Sequence, residues 1–199
     1  MYEIIAVTDR HICEGDFLKR IEDIAESGVS AVMLREKDLE PKEYESLARQ
    51  VSDICARRGA AFIAHRFIAV ARRLGCGNIH LPASVFAEGR DLRGRLEEFR
   101  VGVSVHSVEE ARYAASRGAG YLVAGHIFQT GCKEGLPARG LGFLSEICGQ
   151  VSIPVYAVGG ISEQNIGAVR EAGAAGACLM SSFMRSADVA AYTASLLPC

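Results

Sequence analysis

Tyr121-Leu122-Val123-Ala124-Gly125-His126-Ile127 is a short apolar run that ends in a lone histidine and opens into Phe128-Gln129-Thr130-Gly131-Cys132-Lys133-Glu134-Gly135, a polar, glycine-broken loop. Continuous runs of this length, rich in Val and Ile, are the signature of strands buried on both faces of a parallel sheet. Seven more follow the same pattern: Tyr2–Thr8, Ala31–Arg35, Ala60–His65, Asn78–Leu81, Arg100–His106, Pro154–Gly159 and Gly176–Met180.

Amphipathic stretches separate them. Asp16–Ser27 repeats Phe17, Ile21, Ile24 and Ala25 at helical spacing, and Pro41–Arg58 does so with Tyr44, Leu47, Ala48, Val51, Ile54 and Cys55. Pro41 stands near a helix start, Ser107 and Ser162 are placed as N-caps, and Ser107-x-x-Glu110 has capping-box spacing. Eight strand–helix units in 199 residues match a (β/α)8 TIM barrel. A doubly wound open sheet is the competitor, and the count of eight favours the barrel. With 49% hydrophobic residues and no shift in composition along the chain, residues 1–199 read as a single domain.

In a barrel of this kind the reacting groups sit at the C-terminal ends of the strands. Those ends carry Thr8, Arg35, Glu36, Lys37, His65, Arg66, Pro82, Ser104, His106, His126, Gly159, Gly160 and Ser181. His126 is the candidate acid–base group, because an imidazole that titrates near neutrality can take a proton from one carbon and return it to another. Arg35, Lys37 and Lys133 are candidates for an anionic substrate, Arg as a planar fork and Lys as a mobile point charge. Thr130, Ser104 and His106 could support substrate by hydrogen bonding, whereas His80 lies inside its strand and is expected to fill a barrel layer. The loops after strands seven and eight commonly bind phosphate in this fold, which points to Gly159, Gly160, Ser181 and Ser182.

A formal net charge of −2 argues against a general nucleic-acid binder. The seven cysteines are odd in number and scattered, with no C-x-x-C pair, which fits reduced thiols in a cytoplasmic protein better than disulfides or structural zinc. No apolar run reaches the 18 residues of a membrane span, and the chain opens on a strand pattern rather than a leader. A homodimer is expected only on the general frequency of dimers.

Val103-Ser104-Val105-His106-Ser107, Gly125-His126-Ile127-Phe128-Gln129-Thr130-Gly131-Cys132-Lys133-Glu134-Gly135-Leu136, Ile153-Pro154-Val155-Tyr156-Ala157-Val158-Gly159-Gly160-Ile161 and Ala172-Gly173-Ala174-x-Gly176 together resemble the thiamin phosphate synthase and TenI family, over essentially the whole chain. The resemblance implies one of two activities. Synthases of the family join a pyrimidine pyrophosphate to a thiazole phosphate, using aspartates after the third and fourth strands for magnesium. Here those places read Ala64-His65-Arg66, where the synthases have Asn-Asp-Asp, and Leu81-Pro82-Ala83-Ser84. Magnesium favours carboxylate and phosphate oxygens, so its protein anchors are missing. His65 and Arg66 would put positive charge in that region instead.

The TenI branch resembles a thiazole tautomerase, and its motif Gly-His-x-Phe-x-Thr-x-Cys-Lys is matched by Gly125, His126, Phe128, Thr130, Cys132 and Lys133; synthases usually have proline where His126 stands. The implied reaction is metal-free, cofactor-free aromatisation of a carboxylated dihydrothiazole phosphate, with His126 as proton shuttle. The alternatives are a thiamin phosphate synthase and a non-catalytic barrel that binds thiazole or thiamin phosphate.

Overall fold

The computed structural model describes residues 2–88, 96–131 and 135–197. Eight parallel strands close into a barrel in the order β1-β2-β3-β4-β5-β6-β7-β8, the expected (β/α)8 architecture. The strands are β1 (Glu3–Val7), β2 (Ala31–Leu34), β3 (Ala61–His65), β4 (Asn78–Leu81), β5 (Arg100–Val105), β6 (Tyr121–Gly125), β7 (Val155–Val158) and β8 (Gly176–Leu179). All eight expected runs are strands, most of them ending one or two residues earlier than the apolar run does. The polar residues just beyond, Thr8, Arg35, His106 and His126, have left the ladder and begin the loops.

Two compact units are distinguished within the chain, one of Met1–Tyr2 and His80–Cys178, the other of Glu3–Ile79 and Leu179–Cys199. In the first, β5, β6, β7 and β8 pair in register, with Gly102 opposite Tyr121, Gly125 opposite Val158, and Val158 opposite Cys178. Tyr121 is buried, and a Cβ at Gly102 would run into its phenol ring, so the absence of a side chain at 102 makes room for a large one on the neighbouring strand. Helix α5 (Val108–Ser116) starts as expected, the Ser107 hydroxyl accepting the Glu110 N–H at 3.1 Å. The second half of the capping box differs: the Glu110 carboxylate accepts the N–H of His106, one residue earlier, at 2.6 Å.

Ser162 is not a helix N-cap. Helix α7 (Ile166–Glu171) begins three residues after the expected place, with Asn165 at its N-cap. The intervening turn explains the shift, since the Asn165 side-chain oxygen accepts the Ser162 N–H at 2.9 Å and its amide donates to Gly160 O at 2.9 Å. A short polar side chain that bonds nearby backbone competes with the first helical turn.

In the second unit, β1, β2 and β3 pair in parallel, with Val7 opposite Met33 and Leu34 opposite Ala64. Helix α1 (Phe17–Glu26) is capped by Asp16, which accepts the Lys19 N–H at 2.7 Å, and buries Ile21, Ile24 and Ala25. Helix α2 (Pro41–Arg58) starts with Pro41 and stops at Gly59, whose φ of 81° is the left-handed conformation that glycine adopts without a Cβ clash. Its buried stripe is Tyr44, Ala48, Val51, Ile54 and Cys55.

Tyr44 does more than fill that stripe. Its hydroxyl donates to Leu34 O at 2.8 Å and accepts the His65 N–H at 2.8 Å, tying the C-terminal ends of β2 and β3 to the helix. Burial pushes its phenol well above the usual range, so it stays neutral and able to donate. Tyr44→Phe is expected to cost about 1–3 kcal/mol, because a buried carbonyl and a buried N–H both lose their partner. A urea melt of the variant beside the wild type checks this.

Candidate functional site

Within the His80–Cys178 unit, the chain leaves β6 at His126 and runs along the end of β7. Ile127 N–H donates to Val158 O at 2.9 Å and Phe128 N–H to Gly159 O at 3.0 Å. The loop returns to the same place: Arg139 N–H donates to His126 O and Gly140 N–H to Ile127 O, each at 3.0 Å. His126 therefore stands at the neck of a loop whose two ends are bonded to each other.

Among the described residues its half-buried ring has one partner, Leu136 O, 3.3 Å from Nε2. A carbonyl oxygen only accepts, so in the neutral ring Nε2 carries the hydrogen and Nδ1 carries the lone pair that can take a proton. His106 is fixed by the same logic. Its Nδ1 lies 3.0 Å from Gly125 O, the carbonyl preceding His126, so Nδ1 donates and Nε2 is the acceptor. The structure thus links His106 to the backbone that presents His126.

Gly159 and Gly160 abut this loop directly. Their φ angles are 99° and 65°; a Cβ at Gly159 would collide with the His126 Cβ and lie 2.9 Å from its Cα, and one at Gly160 would lie 2.8 Å from the Phe128 Cβ. Both glycines are demanded by close approach as well as by backbone conformation, a packing reason independent of any phosphate. Ser104 is half-buried and its hydroxyl lies 2.8 Å from His80 Nε2, so these two side chains pair with each other. His80 is 2% exposed, in keeping with a place in a barrel layer. Thr130 is half-buried at the loop start, while Cys132, Lys133 and Glu134 lie outside the described residues.

The other unit holds a network that the sequence did not announce. Glu36, only 2% exposed, accepts the Thr8 hydroxyl at 2.6 Å, the Arg10 N–H at 3.2 Å and the Arg10 guanidinium at 3.1 Å. Thr8 Oγ1 in turn accepts the Arg35 N–H at 3.0 Å. Arg10 also grips Asp38 with two bonds, and their mutual hydrogen bonding holds the Asp38 carboxyl well below the usual carboxylate range and raises the guanidinium. His11 is 63% exposed on its side chain and lies 3.1 Å from Asp38. Beside Glu36, Arg35 is half-buried with Nη1 3.9 Å from the Met180 sulfur, and Lys37 is exposed.

Ser181 and Ser182 open the short helix α8 (Ser181–Arg185) and are half-buried. His65 and Arg66 part company. His65 is buried, at 5% exposure for the residue, whereas Arg66 is exposed.

Neither place expected to anchor magnesium in a synthase fits a hard cation. The end of β3 offers an imidazole and a guanidinium, and the end of β4 is followed by Pro82, Ala83 and Ser84, with no carboxylate at either. Among the described residues no group of three or more His, Cys, Asp or Glu is disposed to hold a metal. Burial pushes the Cys55 thiol up to about 12, and Cys178, fully buried, higher still, so neither is a nucleophile.

The family model described as thiamine monophosphate synthase matches residues 4–183. The chain belongs to this family, TMP-TENI. Among its relatives, the putative thiamine-phosphate synthase 2 of Aquifex aeolicus is 34% identical over 181 residues, covering 91% of this chain and 97% of the relative. The thiamine-phosphate synthase of Fusobacterium nucleatum is 31% identical over 187 residues, covering 94% and 91%. The solved thiamine phosphate pyrophosphorylase of Pyrococcus furiosus superposes with a TM-score of 0.84 at 26% identity, over 98% of this TMP-TENI chain and 93% of that one. No helix among the described residues is long and apolar enough to cross a membrane.

Proposed function

We propose that this TMP-TENI protein is an enzyme of thiamin biosynthesis, a thiazole tautomerase acting as one domain without metal or redox cofactor. The observation that carries the reading is the His126 ring at the end of β6, with Nε2 committed to a carbonyl and Nδ1 left as the proton acceptor. The substrate is a carboxylated dihydrothiazole phosphate. Nδ1 takes the C2 proton, whose C–H electron pair enters the ring; the exocyclic double bond is consumed, and the imidazolium returns a proton to the exocyclic carbon. One bond to hydrogen breaks, one forms, and His126 ends neutral as it began.

Arg35 and Lys37, with Lys133 outside the described residues, are assigned to the substrate's negative charge. Ser104, Thr130 and His106 are assigned to its polar edges. The phosphate is assigned to backbone N–H groups at Gly159 and Gly160, on the barrel's general habit of binding phosphate after its last strands. The packing demand on the two glycines is compatible with this, since a backbone bare of Cβ also admits a ligand closely.

The names of the relatives favour a second reading, a thiamin phosphate synthase. The residues after β3 and β4 speak against it. One experiment separates the two: the wild-type protein is offered the carboxylated dihydrothiazole phosphate in chelator and, separately, a pyrimidine pyrophosphate with thiazole phosphate and magnesium. Turnover in the first mixture alone is expected; turnover in the second alone overturns the tautomerase.

A further inference from the structure

Val105 opposite Ala124 is the last pair of the β5–β6 register, and beyond it the two strands are joined through a side chain. His106 Nδ1 donates to Gly125 O at 3.0 Å. The backbone N–H of His106 is engaged elsewhere, by the Glu110 carboxylate at 2.6 Å, and Glu110 is itself fixed in the first turn of α5 by the Ser107 hydroxyl. The displaced half of the capping box thus has a use. By taking the N–H of His106 rather than that of Ser107, Glu110 steadies the residue whose imidazole reaches β6.

Gly125 is buried, and its carbonyl belongs to the peptide group that leads into His126. Glycine is imposed there by the approach of β7, since a Cβ at 125 would collide with Val158 O and Val158 Cγ1. The residue before the reacting histidine is therefore the one with the greatest backbone freedom and no side chain of its own to restrain it. Backbone partners hold the chain beyond this point, His126 O accepting from Arg139 N–H and Ile127 N–H donating to Val158 O. His106 supplies the hold before it.

We propose that His106 is a positioning residue for the proton shuttle, fixing the peptide before His126 through Gly125 O, with Glu110 fixing His106 in turn; the reaction it serves rests on the tautomerase reading. All of these residues belong to the His80–Cys178 unit. A reacting group has to be held within about 0.5 Å of its productive place, and hydrogen bonds from residues behind it do that holding. Nδ1 of His106 is spent on the backbone, so Nε2 is the ring nitrogen left for the substrate edge assigned to this residue.

The test compares wild type, His106→Ala, His106→Asn and Glu110→Ala in two ways: steady-state kinetics on the carboxylated dihydrothiazole phosphate, and the amide and ring nitrogen signals of His126 in the nuclear magnetic resonance spectrum of labelled protein. His106→Ala should lose about 10- to 100-fold in kcat, the cost of a buried carbonyl without its donor and a shuttle out of place. In His106→Asn the side-chain amide nitrogen stands where Nδ1 stood, so kcat should recover to within roughly threefold of wild type, the worth of one weakened hydrogen bond. Any contact between Nε2 and substrate is lost in both variants and raises KM equally in both, which separates positioning from binding. Glu110→Ala should lower kcat, and adding it to His106→Ala should cost nothing further, because the two act through one carbonyl. The His126 signals should move in His106→Ala and return toward their wild-type places in His106→Asn, a reading that needs no turnover. Wild-type kcat in His106→Ala, an equal loss of kcat in the alanine and asparagine variants, or His126 signals unmoved by His106→Ala overturns the positioning role; losses that multiply in the double variant overturn the part given to Glu110. A wild type without turnover whose His126 signals follow the donor at 106 overturns the tautomerase and leaves the hold of His106 on His126 standing.

Discussion

Gly159→Ala is expected to lower the proposed tautomerase turnover by roughly 100-fold, and to destabilise the protein at the same time. The new Cβ would be driven into the Cβ of His126, and 2.9 Å from its Cα, with the backbone at φ 99°. Neither neighbour can yield cheaply, since His126 is held through Arg139 and Ile127 through Val158. Overpacking of this kind costs about 1–3 kcal/mol. A displacement of the reacting group by about 1 Å is enough for a 100-fold loss of rate. Steady-state rates and a thermal melt on the same preparation check both halves, and a variant with wild-type kinetics would show that the end of β7 does not set the position of His126.

His126→Gln carries the largest expected effect on chemistry alone. The glutamine amide retains an N–H donor for Leu136 O, 3.3 Å from the histidine Nε2, so the loop neck should persist. What the amide lacks is a ring nitrogen with a basic lone pair that can take a proton and give it back. Removing a positioned acid–base group costs about 100- to 10,000-fold in turnover. If His126 acts on the proton as proposed, rather than on the substrate's anionic groups, the loss should fall on kcat with little change in KM. An unchanged melting temperature beside the lost rate would separate chemistry from folding.

The barrel was legible because eight short Val- and Ile-rich runs can hardly be anything but buried parallel strands, and the place of His126 just past β6 because a polar residue ending such a run has to leave the sheet. Pairings across the sequence were not legible. Glu36 sits between Arg35 and Lys37 and read as part of a charged stretch; that Thr8 and Arg10 would receive it required the β1–β2 register. Tyr44 counted only as one member of an apolar stripe, since nothing local foretold a hydroxyl bridging β2 and β3. Ser162 was misread because a cap signal does not reveal a competing turn built by Asn165. Gly159-Gly160 read as a phosphate loop, whereas the reason for glycine that the structure shows, the approach of the β6 loop, appears only in three dimensions.

The most direct measurement is the time course of aromatic thiazole formation from the carboxylated dihydrothiazole phosphate, followed by ultraviolet absorbance in chelator, with wild type, His126→Gln and buffer side by side. The account predicts saturable acceleration by wild type and a rate close to that of buffer for the variant. Equal rates in all three, or full activity in His126→Gln, would contradict it.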